Sequence, residues 1–288
     1  MIRSSLKNLK NYRVTLTTSF ETKHGVSGHL FEMIEYFMHF RFHVAISACI
    51  LVSDGTTEEE FWGAIHDKYD LSVDALLHLK EHVYFAYQPK VILAQTLLIC
   101  DGSLRMHGAD LICDKIVLFR CADTDIVRDD VLVLQDNDVY EPLPNSQHYK
   151  KKILFEKYKK YNPPKINTAM FYLTTNSRSM TNEQIQEIIS KHKFGRYIAI
   201  SNGDIKLDNV EVIRAPVDNL WHLFGTYIYT NTALKFDCSP RFIAECDFYG
   251  KDIIYEIDYF DKGLEVRKRD IQDGAVWLTK YDEIYTKI

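Results

Sequence analysis

The chain has 288 residues, about twice a common domain length of ~150, which sets the expectation of two domains. Apolar residues make up 46% and charged residues 26%, and 12 Gly with 7 Pro leave no room for a long low-complexity or collagen-like tract. Forty acids against 35 bases give a formal charge of −5, which excludes a uniformly basic nucleic-acid coat protein but allows a local basic face.

Arg13 to Thr18 reads as a first strand, β-branched and alternating. The loop from Ser19 to Gly28 leads into a strongly apolar helix, His29 to about Phe40, with Leu30, Met33, Ile34 and Phe37 at helical spacing. Val44 to Val52 is a buried-strand candidate, and Thr56-Thr57-Glu58-Glu59-Glu60 opens a helix with hydroxyls and acids where a helix N-terminus favours them. Lys90 to Cys100, Asp114 to Cys121 and Val131 to Leu134 follow as interior strands. Strands alternating with helices predict a parallel α/β sheet.

The composition changes at Tyr140. Pro142, Pro144, Pro163 and Pro164 punctuate the next stretch, and seven Lys crowd between Lys150 and Lys165, with a helix expected over Tyr149 to Lys160. The alternation then restarts. Strands are expected at Ala169–Thr174, Arg196–Ser201, Val210–Ile213, Tyr227–Tyr229 and Asp252–Tyr255. Helices are expected at Thr181–His192, Leu220–Phe224 and Ser239–Phe248, with a largely helical tail. The boundaries follow: an N-terminal α/β domain over 1–145, a basic linker over 146–166, a second α/β domain over 167–270 and a C-terminal helix over 271–288.

Six Cys, at 49, 100, 113, 121, 238 and 246, form no C-x-x-C pair and sit mostly in apolar runs, as buried reduced thiols do. The basic segment Met1 to Arg13 lacks the apolar core of a secretory signal, and no run approaches ~20 uninterrupted apolar residues. A soluble, cytoplasmic protein without a membrane partner is expected.

In a parallel sheet, ligands bind beyond the carboxyl ends of the strands, in loops that enter helix N-termini. Four such loops are rich in polar residues. The first carries His24, Gly25, Ser27, Gly28 and His29; its glycines let backbone amides approach an anion or hydroxyl, or serve only a strand-to-helix turn. The second, Cys121 to Ile126, places Asp123 and Asp125 after an apolar strand, as a general base or as exposed turn acids. The third, Thr174 to Ser179, offers Ser177 and Arg178 to a diphosphate or to a helix cap. In the fourth, Ser239 caps a helix with Pro240 at its first turn, and Arg241 and Glu245 share a face. That pair is a phosphate–ribose grip or an intrahelical ion pair.

The order of these motifs resembles the two-Rossmann (GT-B) glycosyltransferases, and among them the phage DNA glucosyltransferases that act on hydroxymethylcytosine. Thr124-Asp125-Ile126 is similar to the segment bearing their catalytic aspartate. Phe171 to Arg178 followed by Thr181 to His192 is similar to the strand, diphosphate-holding turn and helix that open their second domain. Arg241 and Glu245 before Asp252–Tyr255 fit their arginine and ribose-binding glutamate, with a spacing one residue longer. Ile213-Arg214-Ala215-Pro216-Val217 is where such enzymes hold the nucleotide base. Asn182 and Glu183 stand where a second phosphate arginine is usual.

The resemblance implies two Rossmann-like lobes facing a central cleft. It implies an inverting transfer of glucose, or of a pentose such as arabinose, from a UDP-sugar to a hydroxymethylated base in double-stranded phage DNA. The base would be Asp125, with Asp123, His24 and His29 as rivals, and Gly25, Ser27 and Gly28 would line the acceptor side. Ser177, Arg178, Arg214, Ser239, Arg241 and Glu245 would hold the donor. It further implies no tightly bound cofactor and no metal site, with a divalent cation at most as a stimulant. Lys150, Lys151, Lys152, Lys159 and Lys160, interleaved with aromatics, would track DNA phosphates, or else form the solvated face of a linker helix. The same fold acting on a saccharide or small-molecule acceptor, and a non-catalytic nucleotide- or DNA-binding module, are the alternatives.

Overall fold

The computed structural model describes residues 14–20, 46–52, 57–87, 90–99, 110–120, 131–135, 146–148, 151–152, 155, 158–173, 181–201, 206–214, 217, 219–230, 241–256 and 277–278. The chain divides into two compact units, Met1–Lys159 with Val276–Ile288, and Lys160–Ala275. The division falls inside the Lys-rich segment.

Unit 1 is built on seven strands: β1 (Val14–Phe20), β2 (Ile46–Val52), β3 (Val83–Tyr87), β4 (Val91–Ile99), β5 (Asp110–Arg120), β6 (Val131–Gln135) and β7 (Ser146–His148). They pair in the order β3-β2-β1-β4-β5-β6-β7, and every pair is parallel. Among the described residues, two helices precede β3. The first, α1 (Glu58–Lys68), starts on a capping box: Thr57 Oγ1 accepts from the Glu60 N–H at 3.2 Å, and a Glu60 carboxylate oxygen accepts from the Thr57 N–H at 2.7 Å. Its Phe61, Trp62 and Ile65 are buried, and Phe61 meets Phe85 of β3 edge-on at 5.4 Å. The second, α2 (Val73–His82), is capped by Ser72 and runs straight into β3. Ile92, Leu97, Ile116, Leu118, Val131 and Val133 form one buried cluster on the sheet.

Two expectations fail here. Tyr149–Lys160 is not one helix: Lys151–Lys152 form β8, which pairs antiparallel with β14 (Trp277–Leu278), and Tyr158 bridges Tyr69. The physical reason is the aromatic content. Tyr158 is 1% exposed, edge-on to Tyr69 at 5.0 Å and to Phe155 at 5.1 Å, so burial of its ring outweighs the solvated lysine helix. Trp277 and Leu278 are likewise strand where a helix is expected; the rest of 271–288, like the helix expected over 29–40, lies outside the described residues.

Among the described residues unit 2 holds five strands, β9 (Thr168–Leu173), β10 (Arg196–Ser201), β11 (Glu211–Arg214), β12 (Thr226–Tyr229) and β13 (Asp252–Tyr255). They pair in parallel in the order β11-β10-β9-β12-β13. Helix α3 (Asn182–Lys191) begins on a second capping box, Thr181 with Gln184, and α4 (Arg241–Phe248) connects β12 to β13. Both faces of the sheet are covered. Ala169, Phe171, Tyr197, Ala199 and Ile228 pack with Ile185 and Ile188 of α3. The alternate residues Met170, Ile198, Ile200, Tyr227 and Tyr229 pack with Ile243 and Cys246 of α4. This explains why the strands read as continuous apolar runs: period-two alternation vanishes when neither face meets water.

Close approaches fix the amino edge of this sheet. Gly225 donates its N–H to Thr168 O at 3.0 Å and accepts from Asp252 N at 3.1 Å, and a Cβ there would stand 2.1 Å from Ile166 O. Gly250, at φ +63°, ends α4 and lets Lys251 N donate to Cys246 O at 2.8 Å. The Lys251 ammonium, buried, donates to Phe224 O at 2.6 Å and lies 5.1 Å from the Phe224 ring centre. Burial pushes the Lys251 ammonium below its ordinary pKa and the Cys246 thiol well above its own, so Cys246 is an inert thiol.

Candidate functional site

The chain leaves β9 towards β10 and β11, then returns to lay β12 against the other side of β9. This is a topological switch point, where open parallel sheets bind their ligands. The ladder joining β9 to β12 consists of Ala169 with Thr226 and Met170 with Tyr227. It ends there, although β9 continues to Leu173 and β12 to Tyr229. The carboxyl halves of the two central strands are therefore not hydrogen-bonded to each other, and Tyr172 stands beside that opening.

Helix α4 flanks it. Because β12 and β13 are parallel, α4 runs back against them, with its first turn at the carboxyl edge and its end at the amino edge. Phe242, in that first turn, lies 5.5 Å from the Tyr172 ring and 4.9 Å edge-on to Tyr227. Trp221, on a short 3-10 turn at Leu220–His222, stacks on Phe242 at 5.4 Å and approaches Tyr249 at 4.3 Å. Glu245 follows Phe242 by three residues and is 6% exposed. Burial, then the Glu245 charge, raises the Tyr172 phenol above its ordinary pKa, so this hydroxyl stays protonated and able to donate.

Of the residues predicted for the donor, Glu245 is buried within α4, Arg241 begins that helix, and Arg214 is the exposed last residue of β11. Ser177, Arg178 and Ser239 lie outside the described residues; in the chain they follow β9 and β12. His24, Gly25, Ser27, Gly28, His29, Asp123, Asp125 and Lys150 also lie outside them. Lys151 and Lys152 form β8, Lys159 N donates to Lys68 O at 3.1 Å, and Lys160 is exposed.

Tyr172 and Phe242 are absent from the residues the sequence predicts. The available signal was a phenol at the penultimate position of an otherwise apolar strand, followed in the sequence by polar residues. Among the described residues no group of three His, Cys, Asp or Glu side chains is placed to hold a metal ion, and no helix is long and apolar enough to cross a membrane. Comparison with protein-family models, with curated proteins and with solved structures returned no match.

Proposed function

We propose that the protein is an inverting GT-B glycosyltransferase that moves glucose, or a pentose such as arabinose, from a UDP-sugar to the hydroxyl of a hydroxymethylated base, 5-hydroxymethylcytosine in type, in phage DNA. Unit 2 is the donor-binding unit and unit 1 the acceptor unit. One observation carries the reading: Glu245 is a buried carboxylate on the helix between the fourth and fifth strands of a parallel sheet, beside its switch point. The resemblance to the GT-B enzymes gives such an acid to the ribose, and open parallel sheets bind their ligands at such a switch point. The strand order of unit 1, with three strands running outward from β1 and the rest from β4, supports it as a second nucleotide-fold sheet.

In this reaction Asp125 takes the proton from the acceptor hydroxyl, and the oxygen attacks the anomeric carbon. The bond from that carbon to the diphosphate oxygen breaks, and UDP leaves with the electron pair. Arg178 and Arg241 balance its charge. Asp123, His24 and His29 are the rival bases. No tightly held metal is required by this scheme; a divalent cation acts as a stimulant by neutralising the diphosphate.

The test is incubation with hydroxymethylcytosine DNA and a panel of nucleotide sugars, followed by nucleoside mass spectrometry. A modified nucleoside heavier by one sugar residue is expected, and its absence with every donor overturns the DNA reading. The second reading, transfer to a saccharide or small molecule, is favoured by the dispersal of the lysines among β8 and the unit boundary instead of along one helical face. A panel of free acceptors in the same assay separates it.

A further inference from the structure

Tyr172 departs from the rest of its strand. It is 36% exposed, while Thr168, Ala169, Met170, Phe171 and Leu173 are each 5% exposed or less. This aromatic ring reaches solvent on the face of the middle strand that carries α4, beyond the last β9–β12 pair at Met170. The ring is also held from behind. Phe242 lies against it at 5.5 Å, and Phe242 is itself fixed by the stacked Trp221 and the edge of Tyr227. Among the described residues the Tyr172 hydroxyl has no hydrogen-bond partner. The site thus presents an aromatic face backed by Phe242 and a phenol donor, next to a buried carboxylate.

That combination matches a nucleoside. A flat ring seats a base or the apolar face of a ribose, a phenol donates to a ligand oxygen, and a carboxylate accepts from two neighbouring sugar hydroxyls. We infer that Tyr172 is a specificity-determining residue that seats the nucleoside end of a nucleoside diphosphate at the β9–β12 opening, with Phe242 as its backing and Glu245 on the ribose hydroxyls. The inference rests on the nucleotide-sugar reading above and assigns which end of the donor this side chain recognises.

The experiment is calorimetric titration of the full chain with UDP, uridine and inorganic diphosphate. Tyr172→Ala should weaken UDP and uridine about tenfold, the scale of one base stacked on one aromatic ring, and leave diphosphate unchanged. Tyr172→Phe should lose only about threefold, the scale of one neutral hydrogen bond. Near-UV circular dichroism checks the fold, and Tyr172→Leu, which keeps volume without a flat ring, replaces the alanine variant if that one unfolds. UDP affinity equal to the parent in a folded variant overturns the assignment of Tyr172 while the nucleotide reading stands. Equal losses for UDP and diphosphate also overturn it, because the residue then acts on the phosphates or the fold. Failure of the parent chain to bind UDP or any other nucleoside diphosphate removes the nucleotide reading, and this inference with it.

Discussion

Gly225→Ala is expected to destabilise unit 2 by about 3 kcal/mol, a magnitude that follows from what surrounds the new methyl. That methyl would meet Ile166 O at 2.1 Å, under the 3.0 Å that such approaches essentially never breach. The obstacle is backbone, so no side chain can swing aside. Moving Gly225 away strains its bonds to Thr168 O and from Asp252 N, at roughly 1 kcal/mol each. It also drags Phe224 O from the Lys251 ammonium, and a buried carbonyl left unpaired costs about 1–3 kcal/mol. Alanine's smaller unfolded-state entropy returns only about 0.4–1 kcal/mol. The assay is thermal unfolding followed at Trp221, with Trp62 and Trp277 of unit 1 replaced by Phe; the chain has three Trp. The transition should fall by about 10 °C, on the usual conversion for a domain near 100 residues. Gly63→Ala is the control of opposite sign: a Cβ there has nothing within 4 Å, and alanine in the interior of α1 should stabilise by roughly 0.5–1 kcal/mol. An unchanged Trp221 transition in Gly225→Ala would refute the close approach of β12 to the segment before β9.

Asp125→Ala should abolish sugar transfer while UDP still binds; retained turnover would move the base to Asp123, His24 or His29. Glu245→Gln should raise the KM for the donor several-fold with a smaller change in kcat, and an unaltered donor KM would return Glu245 to a purely structural role. Replacing Lys150, Lys151, Lys152, Lys159 and Lys160 with Gln should flatten the salt dependence of DNA binding, by up to ~0.9 in log–log slope for each phosphate no longer neutralised. A slope equal to the parent's would remove these lysines from the DNA face. In alkali, the phenols of Tyr172, Tyr249 and Tyr255 are all raised, Tyr255 to about 12, with burial the largest cause each time. Unfolded phenols ionise near 10, so above that pH the unfolded state binds fewer protons and stability falls as pH rises towards about 12. Lys251, lowered by burial, tilts the curve the other way, its share growing up to about 10.5. Urea midpoints between about pH 9 and 12 should therefore decline more gently in Tyr255→Phe than in the parent, and identical declines would clear Tyr255 of the effect.

The second unit was the more legible in the sequence, for an identifiable reason. Its three inner strands are largely buried on both faces, so Thr168–Leu173 and Arg196–Ser201 appear as apolar runs bounded by polar residues. Capping boxes mark α1 and α3 at Thr57 and Thr181, and both starts are readable from the hydroxyl–x–x–acid or amide spacing. The α2–β3 segment escaped. Val73 and Leu77 are 72% and 56% exposed, which blurs the helical stripe, and no Gly or Pro separates His82 from Val83. Glu245 was legible as an acid on an apolar helix, whereas its neighbour on the sheet face beneath that helix, Tyr172, was not. Phe171 faces α3 and is covered by Ile185 and Ile188, whereas Tyr172 faces α4 and reaches solvent past Phe242; which face is left uncovered is set by helices distant in the chain, and local pattern carries no record of that.

The Lys-rich segment shows how a charge run can be accounted for before any ligand is invoked. Tyr158 is buried in unit 1 against Tyr69, and Tyr161 packs in unit 2 against Tyr249 at 5.7 Å and His222 at 6.1 Å. Only Lys159 and Lys160 separate these two anchors. A crossing that short has no core of its own, and lysines suit it because their stems can lie along neighbouring apolar surface while the ammonium groups stay in water. Lys68 illustrates the point from the other side, its ammonium 5.3 Å from the centre of the Tyr158 ring. The charge at 159 and 160 is thus explained by the crossing itself and adds little weight to a nucleic-acid face. Lys151 and Lys152 have no such explanation: they sit in a two-residue strand opposite Trp277 and Leu278, where any pair of residues could supply the backbone bonds. The case for DNA as acceptor therefore leans on β8 more than on the unit boundary, and a flattened salt slope should trace mainly to Lys150, Lys151 and Lys152.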